Sequence, residues 1–224
     1  MRAVIVANGP LPKPSYPGVR VGDEDVVICV DGGAGNALAM GLQPRVVIGD
    51  MDSMETELRE HLEREGCRFV EHPARKNETD SELAIRYALA EGATELVLLA
   101  ALGGRLDHTL ANIMLLAIPE LANMEARLID GNQEVAIIRD EITIEGIPGD
   151  VVSLLPISAD VEGIHTAGLE YALSGGTLKL GAARGVSNVL VARRATISVE
   201  QGLLLLVHHH QVPSADDLSP SEGG

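Results

Sequence analysis

The stretch Val26–Ser53, VVICVDGGAGNALAMGLQPRVVIGDMDS, decides the fold. Two short apolar runs, Val26–Val30 and Val46–Gly49, each end abruptly in Gly and Asp. A run of this length with no polar alternation reads as a strand buried on both faces, and such strands belong to parallel sheets covered by helices. Working outward, Ala3–Ala7 and Leu96–Ala101 have the same character. Amphipathic segments lie between the runs. Glu55–Glu65 places Leu58 and Leu62 four apart, and Asp80–Glu91 gathers Leu83, Ala84, Tyr87 and Ala88 on one face. Asp107–Ile118 sets Leu110, Ile113, Met114 and Ala117 in helical register, a stripe expected to face the core. Strands alternating with helices predict an α/β domain, a parallel sheet in three layers, over residues 1–130.

After about Glu125 the pattern changes. Gln133–Ile138, Glu141–Glu145, Val151–Leu155, Thr177–Leu180, Asn188–Ala192, Ala195–Val199 and Leu203–Val207 are short strand-like runs punctuated by Gly, Pro and Asp, with no convincing helix. Residues 131–210 are therefore expected to form an all-β sandwich or barrel. The tail 211–224, polar and rich in Pro, Ser and Gly, is expected to be disordered. His208-His209-His210 cannot all converge on one ion from a regular strand, because successive side chains point to opposite faces; they read as an exposed strand end.

Composition narrows the partners. With 17 Lys+Arg against 33 Asp+Glu the formal net charge is −16, which disfavours broad binding to nucleic acid or anionic membrane. There is no Trp and only 2 % aromatics, too few for a base-stacking platform. Cys29 and Cys67 lack metal or CxxC spacing and read as buried reduced thiols of a cytoplasmic protein. No apolar run approaches the roughly 20 residues of a membrane helix.

In an open parallel sheet ligands bind beyond the carboxyl ends of the strands. The residues there are Asn8-Gly9-Pro10, Asp31-Gly32-Gly33-Ala34-Gly35, Gly49-Asp50-Met51-Asp52-Ser53 and Gly103-Gly104-Arg105-Leu106-Asp107-His108, with Lys76 to Asp80 ahead of a helix. If Asp50 and Asp52 belong to an extended segment, their carboxylates point the same way and suit Mg²⁺, which takes oxygen ligands. Alternatively Asp52 or Ser53 caps the following helix. Thr79 and Glu82 fit a capping box, with Asp80 in the first turn. Lys76 reaches as a point charge toward phosphate, and Arg105 offers a bidentate grip on it. Asp107 fits a helix N-cap, while His108 and Asn112, four apart, border the same region. Neither a P-loop nor a true G-x-G-x-x-G is present. Carboxylates, basic residues and glycines in one predicted layer suit a Mg²⁺-polyphosphate.

These motifs, in this order, resemble the thiamine pyrophosphokinase family. The matching segments are Ala7-Asn8-Gly9, Asp31-Gly32-Gly33-Ala34, Gly49 to Ser53, Lys76-Asn77-Glu78-Thr79-Asp80, and Gly103 to His108 with Asn112. Gly168-Leu169-Glu170-Tyr171 and Gly185-Val186-Ser187-Asn188 match in the second half. The resemblance implies an α/β catalytic domain followed by a β-sandwich. It also implies transfer of pyrophosphate from ATP to the hydroxyl of thiamine, and a homodimer with the thiamine site at its interface. Carried over by motif, Asp50, Asp52 and Asp80 bind Mg²⁺ and phosphates. Asn8, Asp31, Gly32, Lys76, Thr79, Arg105, Asp107, His108 and Asn112 line the nucleotide and pyrophosphate site. Ser187 and Asn188 reach thiamine. Either Asp107 or Asp80 accepts the hydroxyl proton. Asn77 stands where bacterial members usually carry an acid, and no Trp is available to pack on thiamine. Alternatives are a pyrophosphokinase of another alcohol, such as a hydroxymethyl-pterin, or a non-catalytic nucleotide- or thiamine-binding sensor.

Overall fold

Residues 1–11, 19–52 and 54–211 are described by the structure, a computed structural model. Ser53, one of the expected caps, and the tail beyond Gln211 lie outside the described residues.

The first compact unit comprises Met1–Gly131 with Val135–Ile137. Its strands are β1 (Arg2–Val6), β2 (Val26–Val30), β3 (Val46–Gly49), β4 (Arg68–Glu71), β5 (Glu95–Leu99) and β6 (Glu125–Asp130). They pair in parallel in the order β6-β5-β1-β2-β3-β4. Helices α1 (Gly33–Ala39), α2 (Thr56–Arg64), α3 (Asp80–Ala90) and α4 (Leu106–Leu115) connect successive strands from β2 onward.

Both faces of this sheet are buried, as its unbroken apolar runs require. On one face Val4, Val6, Val27, Cys29, Val47, Val97 and Leu99 pack with Ala34 and Ala37 of α1 and Leu62 of α2. The alternate residues Ile5, Ile28, Ile48, Leu96 and Leu98 are also almost fully buried, as are Ala84, Ile85 and Ala88 of α3, which packs on β1, β2 and β3. Each large aliphatic side chain so buried contributes about 1.5–3 kcal/mol relative to exposure. Cys29 and Cys67 are free, buried thiols; burial pushes Cys67 up to about 11 and Cys29 higher still.

Helix α1 has the sequence GAGNALA, whose first turn carries two glycines and Asn36, all weak helix formers. It forms because it can lie very close to the sheet: a Cβ on Gly33 would come 2.2 Å from the Val6 carbonyl oxygen. Asn36 then ties the helix to the loop after β1, its Nδ2 donating to the carbonyls of Ala7 (3.0 Å) and Gly9 (2.8 Å).

The stripe expected on α4 is only partly inward: Ile113 and Ala117 are half-buried, but Leu110 and Met114 turn outward. Leu106, Leu110 and Met114 are 71 %, 51 % and 50 % exposed, whereas Asn112 and Leu115 are buried. The inward face carries Leu115 together with Asn112, which can be buried there because its Nδ2 donates to the Ala101 carbonyl at 2.8 Å.

The second compact unit comprises Asn132–Glu134 and the chain from Ile138 onward. Here β9 (Val151–Pro156) lies between β12 (Asn188–Val189) and β14 (Leu204–His209), all antiparallel. A second antiparallel sheet has the order β11 (Gly176–Leu178), β10 (Val161–Ala167), β13 (Arg194–Ser198), β8 (Glu141–Glu145). Inward residues alternate along the strands, as in Val152 and Leu154, Ala195 and Ile197, and Leu204, Leu206 and His208. His208 is thus 2 % exposed, which corrects its reading as part of an exposed strand end. The register of β14 turns it inward, and Asp150 awaits it there. Strand β7 (Gln133–Ile138) begins where the sequence predicts.

The chain is therefore an α/β unit on a parallel sheet followed by an all-β unit. Among the described residues no helix is long and apolar enough to cross a membrane.

Candidate active site

Strand β1 is flanked by β5 on one side and β2 on the other, so the chain leaves β1 and β5 at a switch point, where open α/β sheets leave a crevice. The two loops are stitched together there. Ala7 N–H donates to the Leu99 carbonyl (2.9 Å) and Gly9 N–H to the Ala100 carbonyl (2.8 Å). Three non-glycine residues near the strand ends, Asp31, Met51 and Ala100, have φ of +45°, +59° and +51°. Such conformations cost about 1–3 kcal/mol each and cluster where side chains must be held for function.

A cleft of about 410 Å³ opens at this place, lined by Asn8, Gly9, Asp31, Thr79, Asp80, Gly103, Gly104, Arg105, His108 and Asn112. The structure thus brings together most residues singled out in the α/β half. Two larger concavities, about 740 and 650 Å³, lie around the amino ends of β2 and β3 with Asp25, Arg45 and Glu91. They sit at the opposite end of the strands from the crevice.

The electrostatic centre of the cleft is a group of carboxylates. Asp31 is pushed up to about 6, first by burial, then by Asp80, with a further push from Asp50 and a hydrogen bond shared with Asp80. The Met51 N–H, 3.4 Å from its Oδ1, pulls the other way, by more than Asp50 pushes. Gly49 makes room for this carboxylate: a Cβ there would fall 1.5 Å from Asp31 Oδ1. Lys76 forms an ion pair with Asp80.

Asp50 and Asp52 do not lie on an extended segment. Strand β3 ends at Gly49, Met51 is left-handed, and Asp52 N–H folds back to donate to Asp50 Oδ1 at 3.1 Å. Asp52 is exposed. Nor does Asp52 cap α2, whose N-cap is Glu55, without a side-chain cap bond. The parallel alignment expected of the pair fails because a left-handed residue between them breaks the two-residue alternation.

Thr79 caps α3, its Oγ1 accepting the Glu82 N–H at 3.2 Å. The return arm of the box is absent among the described contacts; the Glu82 carboxylate accepts from Arg86 instead. Asp107 is not the cap of α4. Arg105 occupies that position, and Asp107 sits in the first turn, 2.6 Å from the Arg105 guanidinium. That contact holds Asp107 below the usual carboxylate range. Both side chains are largely exposed, Arg105 at 73 %. Gly103 and Gly104, with φ of +81° and +67°, turn the chain into this helix.

Ser187 and Asn188 lie in the second unit, at a pocket of about 550 Å³ lined also by Leu154, Tyr171, Leu178 and Arg184. Ser187 has φ of +61°, and its N–H donates to Ser153 Oγ at 3.1 Å. Asn188 spends its amide on the loop opposite: Oδ1 accepts Tyr171 N–H at 3.0 Å and Nδ2 donates to the Tyr171 carbonyl at 2.9 Å. It thereby holds Tyr171, 66 % exposed, at the rim. Tyr171 lay within a quoted motif without being assigned a role, and its clamp by Asn188 has no local sequence signal.

Residues 20–128 match the family model "Thiamin pyrophosphokinase, catalytic domain", and residues 139–204 match "Thiamin pyrophosphokinase, vitamin B1 binding domain". Thiamine pyrophosphokinase of Bacillus subtilis is 31 % identical over 207 residues, covering 91 % of this chain and 96 % of the relative. Thiamine pyrophosphokinase 1 of Oryza sativa is 25 % identical, covering 90 % and 85 %. The crystal structure of the Bacillus subtilis protein superposes with a TM-score of 0.84 at 28 % identity, over 95 % of this chain and all (100 %) of that one. Both halves match in the same order, and the bacterial relative aligns nearly end to end: the chain belongs to the thiamine pyrophosphokinase family.

Proposed function

We propose that this chain is a thiamine pyrophosphokinase, transferring the pyrophosphoryl group of ATP to the hydroxyl of thiamine and releasing AMP. The match of both family models in one chain carries this reading. The cleft at the sheet's switch point supports it as the seat of ATP.

Crowded oxygen donors fit a hard cation, since Asp31 is hard to ionise beside Asp80 and Asp50 unless positive charge is supplied. Asp50, Asp52 and Asp80, joined by Asp31, would hold Mg²⁺, which when bound supplies charge neutralisation at the phosphate oxygens. Lys76 and Arg105 add positive charge to the pyrophosphoryl group, and Arg105 is free to swing from Asp107 to phosphate because both are solvent-facing. Asn8, Gly32, Thr79, His108 and Asn112 shape the nucleotide site. Asn112 acts largely by fixing the loop after β5, through its bond to the Ala101 carbonyl. The thiamine oxygen attacks the β-phosphorus as the bond from that phosphorus to the AMP oxygen breaks. We assign the departing hydroxyl proton to Asp80, because Asp80 lines the cleft whereas Asp107 is not among its lining residues. Positioning and charge stabilisation supply most of the rate.

Ser187 and Asn188 reach thiamine across a homodimer interface, and Tyr171 offers the aromatic face that the absent Trp would give. Exposed Leu106, Leu110 and Met114, and Tyr171, Val186 and Val191 in the second unit, support self-association. The two buried free thiols support a cytoplasmic location.

The test is AMP release from Mg-ATP with thiamine or a hydroxymethyl-pterin as acceptor. Thiamine-dependent AMP is expected, with Asp80→Asn lowering kcat at least about 100-fold. AMP release with the pterin alone would overturn the substrate, and near wild-type turnover in Asp52→Asn would remove Asp52 from the metal set.

A further inference from the structure

A second cluster of metal-ligating side chains lies in the all-β unit, built from residues that the proposed reaction does not use. Asp150, His208 and His210 each offer a ligand atom, all within 4.8 Å of one another. Asp150 and His208 are almost fully buried, their side chains 1 % and 2 % exposed, and His210 is 38 % exposed. The alternation of β14 sends His208 and His210 to one side. His209 turns away, its Nε2 lying 2.9 Å from Asn132 Nδ2.

The separations suit a small ion. His208 Nε2 is 3.0 Å from Asp150 Oδ2, and His210 Nδ1 is 3.6 Å from the same oxygen. Tetrahedral zinc, with bonds of about 2.0–2.1 Å, sets its ligand atoms about 3.3–3.4 Å apart. The two imidazole rings are 3.9 Å apart between centroids, and by the distances above both nitrogens approach the one carboxylate oxygen. The carboxylate is fixed from behind: Ile147 N–H donates to Oδ2 (3.1 Å) and Gln211 N–H to Oδ1 (2.8 Å). Gly146 leaves it space, since a Cβ there would stand 2.2 Å from Oδ2. The outer nitrogen of His210 lies 3.7 Å from Glu134 Oε2, an ion-pair distance that places a carboxylate behind the ring.

We propose that Asp150, His208 and His210, backed by Glu134, form a site for a divalent first-row transition metal, with Zn²⁺ the ion that the donor set fits. Two imidazoles and one carboxylate suit zinc and leave a fourth position for water; Mg²⁺ prefers an all-oxygen shell. The ion fastens the end of the last described strand to the Gly146–Asp150 turn.

Chelator-treated full-length protein is titrated with Zn²⁺ in excess Mg²⁺ by calorimetry, and with Co²⁺ by visible absorption. Wild type is expected to take up one Zn²⁺ per chain and to give the intense Co²⁺ bands of four-coordination. His210→Ala should weaken Zn²⁺ at least about tenfold, Glu134→Gln to a similar or smaller degree, and His209→Ala should leave uptake and bands unchanged. Using Glu134→Gln beside His210→Ala keeps the result interpretable if one of them folds poorly. Absence of uptake by wild type, equal uptake by His210→Ala and Glu134→Gln, or only weak six-coordinate Co²⁺ bands would each overturn the proposal.

Discussion

Asp31 is a carboxylate placed where ionisation is costly. Its folded value of about 6 stands above the roughly 3.9 of an unstructured chain. The folded state therefore keeps its proton through that window, and stability is lost as pH rises across it. In metal-free protein Asp31→Asn is expected to raise the thermal midpoint at about pH 7.5, where the cost is fully present, and to change it little near pH 4. The gain is on the order of 1 kcal/mol, discounted because the group is half-exposed. Thermal melts at the two pH values check it; an equal gain at both would remove the electrostatic account. Asp31, Asp50 and Asp80 were each legible as polar residues after strands or before a helix. Their gathering in one layer was legible too, from the rule that such loops share the carboxyl edge of a parallel sheet; the direct coupling of Asp31 to Asp80 was not, because it joins the end of β2 to the start of α3. The left-handed turn at Met51 was also hidden, since Met gives no sign of that conformation. His208 was legible in principle: Leu204, Leu206 and His208 continue one alternation, which the triple histidine obscured.

At the scale of elements, unbroken apolar runs announced β1, β2, β3 and β5, because only strands buried on both faces tolerate them. Strand β4, RFVE, and β10, VEGIHTA, carry charge and glycine and stayed hidden. Helix α1 was hidden because the glycines of Asp31-Gly32-Gly33-Ala34-Gly35 read as a loop after a strand; its first turn relies on close contact with β1. Helix α4 was legible, but of its apolar stripe Leu110 and Met114 face outward while Ile113 and Ala117 are half-buried. That exposed row, Leu106, Leu110 and Met114, is spaced to cover another surface. If this row forms the interface of the proposed homodimer, Leu110→Glu is expected to give a monomer, read by light scattering, and to cut thiamine turnover at least about tenfold where the thiamine site spans two subunits. A dimer that survives the substitution would place the interface elsewhere.

For the molecule as a whole, a formal charge of −16 sets how substrates arrive. Mg-ATP is an anion and thiamine carries a fixed positive charge, so the protein's field opposes one and favours the other. Raising salt from about 20 to about 200 mM should increase kcat/KM for Mg-ATP and decrease it for thiamine, each by roughly two- to tenfold. Initial rates along a salt series, at saturating co-substrate, check the opposite signs. Parallel changes would point to the dimer equilibrium instead.

The thiols inside the parallel sheet have a practical corollary. Cys29 has no exposed surface and a strongly raised pKa, while Cys67 sits nearer the outside at the start of β4. An alkylating reagent thus finds no thiolate on the intact enzyme, and Cys29 becomes modifiable only when the chain breathes wide enough to part β1, β2 and β3. The pace of its alkylation is a built-in clock for how often the catalytic half comes apart, and ATP should slow that clock.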